Sequence, residues 1–150
     1  MIERVGRRRT PNFAHSRMQA ARLAAGWTRG KLAAMMQVGV STISSWERGN
    51  RVPEPPHLLR LAQVLAIDPA DLIDTDPEAW TLLDYRIAHG LLQQEAAERA
   101  ATNATRLRNV EFAYERMDPR LRSALASLYG TDEAKIDAAW QNGLDKLLAE

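Results

Sequence analysis

Apolar residues along the first half of the chain recur at helical spacing, and the residues between them mark where helices begin and end. A first helix is predicted from Asn12 or Ser16 to Gly26, because glycine commonly follows the last residue of a helix. Thr28 is a suitable N-cap for a second helix, and Asp68-Pro69 for a short last one. The apolar residues predicted to face a core are Leu32, Met35 and Met36 in the second helix, and Leu58, Leu61, Ala62 and Leu65 in the helix after the prolines at 53, 55 and 56.

The segment VSTISSWERG at residues 40–49 combines an apolar face with an unusual number of hydroxyl side chains. Ile43 and Trp46 are three residues apart, which places them on one side of a helix. The other side carries hydroxyl residues, which give up a few tenths of a kcal/mol each in helix propensity. They are Ser41, Thr42, Ser44 and Ser45.

Together with the preceding helix and the turn QVG, this segment has the form of a helix-turn-helix unit. The second helix of such a unit lies in the DNA major groove, with its N-terminal residues against base edges. Short side chains let the helix backbone approach closely, and hydroxyls can bond to bases or phosphates. The hydroxyl residues therefore indicate a helix whose exposed face meets DNA.

The stretches RLAAGWT, KLA, VSTISSWERG and P…LLRLAQVLAIDPADLI resemble the lambda repressor/Cro family of helix-turn-helix proteins. This resemblance implies that Arg22 pairs with Glu47 and that Arg29, in place of the usual glutamine, contacts a phosphate. Gln37 stands where the family has a turn glycine, so it must adopt a positive φ or the turn must change slightly. The resemblance also implies that the groove is faced by Val40, Ser41, Thr42 and Ser45.

A second set of these signals begins 64 residues further along, where RLAAGWTRGKLAAMM aligns without gaps on RIAHGLLQQEAAERA at residues 86–100. The ion pair recurs in this alignment as Arg86 and Glu111. We therefore predict an all-α chain of two tandem five-helix domains, both lambda-repressor-like. A basic arm at 1–11 precedes the first domain at 12–75, and the second domain at 76–150 is divergent and has a longer C-terminal helix.

The second domain offers its own recognition helix, which would begin near Ala104 after the N-cap Asn103. Its predicted exposed residues include arginine and asparagine, the types that read guanine and adenine in bidentate fashion. One interpretation is that this helix reads a second half-site, so that one chain recognises an asymmetric operator. The alternative is a degenerate copy kept for packing or dimerisation. The predicted exposed residues are Ala104, Thr105, Arg106, Arg108 and Asn109.

The C-terminal stretch DEAKIDAAWQNGLDKLLAE predicts one long amphipathic helix. Its apolar side either closes the core of the second domain or forms a homodimer face. The residues on that side are Ile136, Trp140, Leu144, Leu147 and Leu148.

Charge divides the chain into unlike halves. Residues 1–75 carry 11 Lys/Arg against 6 Asp/Glu, a net of +5, and residues 76–150 carry 9 against 13, a net of −4. A basic half suits a phosphate surface, and an acidic half suits a solvated or partner-binding module. The absence of cysteine, of a signal peptide and of a long apolar run predicts a cytoplasmic, nucleoid-associated protein with no membrane contact.

No constellation typical of an enzyme, a metal site, a cofactor or a small-molecule ligand stands out in the sequence. GWTRGKL is one residue short of a phosphate-binding loop and follows no predicted strand. His15, His57 and His89 are isolated from one another and from acidic motifs.

The sequence therefore predicts a sequence-specific regulator of transcription that binds double-stranded operator DNA. A repressor of phage, plasmid or bacterial origin is the favoured role. The alternative is an antitoxin or autoregulator whose acidic second half binds a protein partner or mediates dimerisation. The predicted DNA contacts are Arg7, Arg8 and Arg9 in the arm; Arg29, Val40, Ser41, Thr42, Ser45, Arg48, Asn50 and Arg51 in the first domain; and Gln93, Thr105, Arg106, Arg108 and Asn109 in the second.

Overall fold

The computed structural model describes residues 12–150, in which α-helices predominate. The α-helices are α1 (His15–Ala24), α2 (Arg29–Met36), α3 (Val40–Glu47), α4 (Pro55–Leu65), α5 (Leu82–Ala88), α6 (Gln93–Arg99), α7 (Ala104–Glu111), α8 (Pro119–Leu128) and α9 (Glu133–Leu148). Two 3₁₀ helices, Pro69–Leu72 and Pro77–Ala79, lie between α4 and α5. Residues 12–150 contain no β-strand, only an isolated bridge between Phe13 and Ile73. The all-α class is confirmed.

These described residues divide into two compact units. The first unit contains residues 12–74 together with the short segment 87–90. The second unit contains residues 75–86 and 91–150.

Side-chain caps fix where several helices begin. The Thr28 hydroxyl accepts a hydrogen bond from the backbone N–H of Lys31 at 3.0 Å, and the Asn103 side chain accepts one from Arg106 at 2.8 Å. Asp118 and Asp132 cap α8 and α9 in the same way, each at 2.8 Å. A cap of this kind satisfies one of the N–H groups that a helix N-terminus leaves without an internal partner. Thr28 and Asn103 thus act as the N-caps that the sequence predicted.

The core of the first unit is formed by apolar side chains from all four of its α-helices and from the 3₁₀ helix. The α4 residues predicted to face the core are all buried. Met35 is a correction, because its side chain is 46% exposed. It lies roughly 100° around the helix from the face formed by Leu32, Ala33 and Met36, so it points away from the core. The fully buried side chains of this core include Met18, Leu32, Ile43, Leu58, Leu61 and Leu72.

The last element differs between the two units. In the first unit the predicted fifth helix is a 3₁₀ helix of four residues, whose start is capped by Asp68. In the second unit α9 runs for sixteen residues, and Ile136, Ala139 and Trp140 enter that unit's core. Leu148 is a second correction: it is 74% exposed, because it lies at the edge of the apolar stripe in the last helical turn.

Left-handed backbone conformations recur at matched positions in the two units. Every residue with positive φ in the described chain belongs to a pair separated by 64 residues. Each pair ends a helix or follows one, where this conformation lets the chain turn away. The pairs are Gly26 and Gly90, Gln37 and Ala101, Gly49 and Ala113, and Ala66 and Gly130.

Candidate nucleic-acid interface

The candidate interface is built on α2, the three-residue turn at 37–39, and α3. Gln37 ends α2 with φ 57° and ψ 42°, and Gly39 then starts α3 in an extended conformation. A left-handed conformation costs a residue with a Cβ about 1–2 kcal/mol. Two hydrogen bonds across the turn offset this cost, from Gln37 N–H to the Ala34 carbonyl at 3.2 Å and from Val38 N–H to the Ala33 carbonyl at 3.0 Å. The turn therefore forms without glycine at its first position.

The two sides of α3 have opposite character. Ile43 and Trp46 are buried in the core of the first unit. Val40 is 50% exposed, Ser41 is exposed, and the remaining hydroxyl residues are half-buried. The first turn of α3 thus presents short side chains to solvent, as close approach to a groove requires. The exposed residues that follow α3 are Arg48, Asn50 and Arg51.

A buried ion pair fixes the end of α3 against α1. The Nε of Arg22 lies 2.6 Å from Oε2 of Glu47, and its Nη2 lies 3.1 Å from Oε1. These side chains are 8% and 1% exposed. The third donor of Arg22, Nη1, bonds to the Trp27 carbonyl at 2.8 Å. Bidentate pairing of this kind is geometrically specific, so it sets the angle at which α3 leaves the scaffold.

Arg29 also belongs to this cluster, which the sequence did not indicate. Its Nε donates to Oε1 of Glu47 at 3.0 Å, although the side chain remains 37% exposed. The predicted role of Arg29 was a contact with a DNA phosphate. Its terminal Nη groups have no hydrogen-bond partner among residues 12–150, so they remain available for one. The contact with Glu47 positions the guanidinium at the start of α2.

Two further side chains support the ends of these helices. His15 Nδ1 lies 3.2 Å from the Glu47 carbonyl, and Arg60 Nη2 donates to the Met35 carbonyl at 3.2 Å. The His15 ring also packs on Gly49, where a Cβ would come within 3.1 Å of it. Both contacts join residues far apart in sequence, and no local pattern indicates them.

Comparison with known protein families identifies the arrangement of α2, the turn and α3. A family model described as helix-turn-helix matches residues 18–72, which cover α2, the turn and α3. Residues 18–72 form a helix-turn-helix domain. The matched family is lambda repressor-like, and its members are DNA-binding transcription regulators. No curated protein and no solved structure matches the chain.

Neither a membrane-crossing helix nor a metal cluster occurs in the described part of the chain. Its helices are too short or too polar to span a bilayer. Its histidine and acidic side chains form no group of three or more that is placed to hold a metal ion.

Acidification is expected to destabilise the helix-turn-helix domain through Glu47. Burial raises the pKa of this carboxyl, but hydrogen bonds and charges from Arg22 and Arg29 outweigh burial and hold the pKa below its ordinary value of 4.5. Because the pKa is lower in the folded state, the stabilisation is complete above the unfolded-state value and is lost as the pH falls through the folded-state value.

Urea unfolding between about pH 6 and pH 3 measures this effect. Glu47→Gln should be less stable at neutral pH and should show a flatter dependence on pH. An equally steep dependence in this variant would assign the acid sensitivity to other groups.

The second unit repeats the ion cluster with one change. Arg86 Nε lies 2.7 Å from Oε2 of Glu111, Nη2 lies 3.1 Å from Oε1, and Nη1 donates to the Leu91 carbonyl at 3.1 Å. Gln93 donates to Oε1 of Glu111 at 3.3 Å, in the place that Arg29 takes in the helix-turn-helix domain. Both predicted ion pairs are thus present in the structure, each joining residues 25 apart.

The exposed face predicted for α7 differs from the one observed. Arg106 Nη2 lies 3.0 Å from Asp118, and Asn109 donates to Glu115 at 3.0 Å. Acids between α7 and α8 therefore hold both side chains, which are half-buried rather than exposed, and Ala104 is also half-buried. Of the five residues predicted to be exposed, the structure exposes Thr105 and Arg108.

The arm lies outside the described residues, and so do its three predicted DNA contacts, Arg7, Arg8 and Arg9.

Proposed function

We propose that the chain is a cytoplasmic, nucleoid-associated repressor of bacterial, phage or plasmid origin that reads double-stranded operator DNA with α3. One observation carries this proposal: the hydroxyl-rich first turn of α3 is presented to solvent on a scaffold fixed by the Arg22–Glu47 pair. A recognition helix held at a fixed angle is what sequence-specific reading of the major groove requires.

Within this proposal the residues divide by task. Side chains at the start of α3 contact base edges and set which sequence is bound: Val40, Ser41, Thr42 and Ser45. Cationic and amide side chains around it contact phosphates and set the affinity for all sequences: Arg29, Arg48, Asn50 and Arg51. Arg29 is positioned for this task by Glu47, which holds its Nε and leaves its Nη groups available.

We further infer that the second unit is a divergent copy whose matching face no longer has affinity for DNA. The ion cluster and the positive-φ positions recur at an offset of 64 residues, which supports the copy. The cations of the first face do not recur, and phosphate contacts depend on them. At this offset Arg29, Arg48 and Arg51 correspond to Gln93, Phe112 and Glu115.

A second half-site read by α7 is the competing hypothesis, favoured by the exposure of Thr105 and Arg108. Base reading by Arg106 or Asn109 would require each side chain to leave an acid of its own unit. The present geometry therefore supports a role for the second unit in packing or dimerisation. In that case the operator should be palindromic and bound by two chains, rather than asymmetric and bound by one chain.

Binding-site selection followed by footprinting on the full chain tests the proposal. A defined preferred sequence is expected, and binding without any sequence preference would contradict the repressor function. The triple variant Ser41→Ala, Thr42→Ala, Ser45→Ala should alter the selected sequence. The matched variant Arg106→Ala, Arg108→Ala, Asn109→Ala should leave affinity and footprint unchanged, whereas a shortened footprint would establish the second half-site.

Replacing Arg7, Arg8 and Arg9 with alanine should weaken binding to all DNA sequences alike. Each arginine that neutralises one phosphate in the wild type contributes to the slope of log affinity against log salt concentration. Replacing such an arginine should flatten this slope by about 0.9. Titrations of one operator and one unrelated duplex over a range of salt concentrations measure this slope. If the slope stays at the wild-type value, the arm neutralises no phosphate.

A further inference from the structure

The second unit contains a cavity of about 310 Å³ between α9 and the segment that leads into α5. This volume lies at the lower end of the range for small-molecule sites, roughly 300–1,000 Å³. The lining residues are Pro77, Glu78, Trp80, Tyr85, Lys135, Ala138, Ala139 and Asn142.

The walls of this cavity are flat, apolar and fixed in orientation. The rings of Trp80 and Tyr85 meet edge to face with centroids 5.1 Å apart. The Trp80 indole N–H donates to the Thr75 carbonyl at 2.9 Å, and Tyr85 stacks on Tyr129 at 5.9 Å. Such contacts hold both rings in place before any ligand arrives, which suits a planar aromatic molecule.

The polar groups of the cavity are few and chemically distinct. Asn142 Nδ2 donates to the carbonyls of Glu78 and Trp80 at 3.2 and 2.9 Å, and its Oδ1 is a hydrogen-bond acceptor with no partner among residues 12–150. The Lys135 ammonium makes no ion pair within the same range. The cavity therefore offers one cation for an anion, and it offers the Asn142 oxygen and the Glu78 carboxylate for a hydrogen-bond donor.

The helix-turn-helix domain has a smaller pocket at the equivalent place, about 100 Å³ in volume and lined in part by Ala14, Ser16 and Asp74. Ala138, Ala139 and Asn142 lie in the second to third turns of α9. The first unit ends in a four-residue 3₁₀ helix, so it has no helical wall equivalent to this part of α9. The longer α9 creates the site, and the sequence offers only an amphipathic pattern at these positions, which explains why no ligand was predicted.

We propose that this cavity binds a small aromatic carboxylate that also carries an N–H or O–H donor. The ring lies between the aromatic walls and the alanine methyls of α9. Lys135 pairs with the carboxylate, and the donor bonds to Asn142 Oδ1 or to Glu78. A dianion is disfavoured because Glu78 places a negative charge at the same cavity.

Indole-3-acetate is the probe, titrated into the full chain and followed by calorimetry and by the NMR signal of the Trp80 indole N–H. Saturable binding with a shift of this signal is expected. The absence of saturable binding at millimolar probe overturns the proposal. The same ring with an alcohol in place of the carboxylate, indole-3-ethanol, should bind at least tenfold more weakly, and equal affinity for the two probes would remove Lys135 from the site.

Matched variants on α9 locate the site. Ala138→Trp should fill the cavity and abolish binding, whereas Ala134→Trp, on the same helix but outside the cavity, should bind normally. Lys135→Met should weaken binding about tenfold, whereas Lys146→Met should have no effect. Equal binding by all four variants would place the probe elsewhere and would overturn the proposal.

Discussion

Arg22→Ala is expected to lower the free energy of unfolding of the helix-turn-helix domain by about 3 kcal/mol, and Arg86→Ala to lower that of the second unit by about 5 kcal/mol. Both variants strand a buried carboxylate, which is the main source of the cost. The two expected losses of stability differ because a different hydrogen-bond partner remains beside each carboxylate. Glu47 keeps Arg29 at 3.0 Å, whereas Glu111 keeps only the neutral Gln93 at 3.3 Å.

Urea unfolding followed by circular dichroism and tryptophan fluorescence measures both changes. Arg17→Ala is the control, because Arg17 is exposed and makes a 3.6 Å pair with Asp74 and a 3.2 Å hydrogen bond to the Ile73 carbonyl, contacts whose removal should together cost only about 1 kcal/mol. The double variant Arg22→Met, Glu47→Leu should recover much of the stability that Arg22→Ala removes. If Arg22→Ala costs no more than Arg17→Ala, the buried pair does not stabilise the domain.

Ser41→Glu is expected to reduce affinity for operator DNA by about 100-fold or more, because it places a carboxylate where α3 meets the negatively charged duplex. Like charges juxtaposed in an interface cost several kcal/mol, and about 2.7 kcal/mol corresponds to 100-fold in affinity. The fold should be unaffected, since Ser41 is exposed at the second residue of α3 and a negative charge in a first helical turn is favourable.

Thr105→Glu provides the matched control, at the exposed second residue of α7. Fluorescence anisotropy on one labelled operator compares the two variants. If α3 alone reads DNA, Thr105→Glu should bind as the wild type does. Loss of affinity in both variants would show that α7 also reaches DNA, and loss in neither would show that α3 is not the recognition helix.

Much of the fold can be predicted from the sequence because helix ends are encoded locally. Thr28 and Asn103 cap α2 and α7 with their own side chains, and glycine at 26 and 90 follows a helix in the left-handed conformation. The ion pairs could be found as well, because the family resemblance implies Arg22–Glu47 and the alignment at 64 residues then places Arg86 with Glu111.

The remaining features depend on which helices pack against one another, and local sequence patterns do not encode this packing. Arg106 was expected to face solvent, but Asp118, twelve residues away, comes within reach once α8 packs. Arg29 contacts Glu47 only because α2 and α3 meet at the turn. Met35 is apolar, as core residues are, but it lies on the solvent-facing side of a short helix. The cavity depends on three separate segments of one unit, residues 77–80, α5 and α9, and none of them is distinctive alone.

The two buried guanidinium groups also make natural spectroscopic reporters. In each of them the Nε–H is donated to a carboxylate and is shielded from water, at Arg22 in one unit and at Arg86 in the other. Protons held in this way exchange with solvent only when the surrounding structure opens. Their arginine side-chain resonances should therefore persist in NMR spectra at neutral pH and exchange at separate rates. The exchange rate of one native arginine Nε–H would then report local opening in each unit, and no label would have to be introduced.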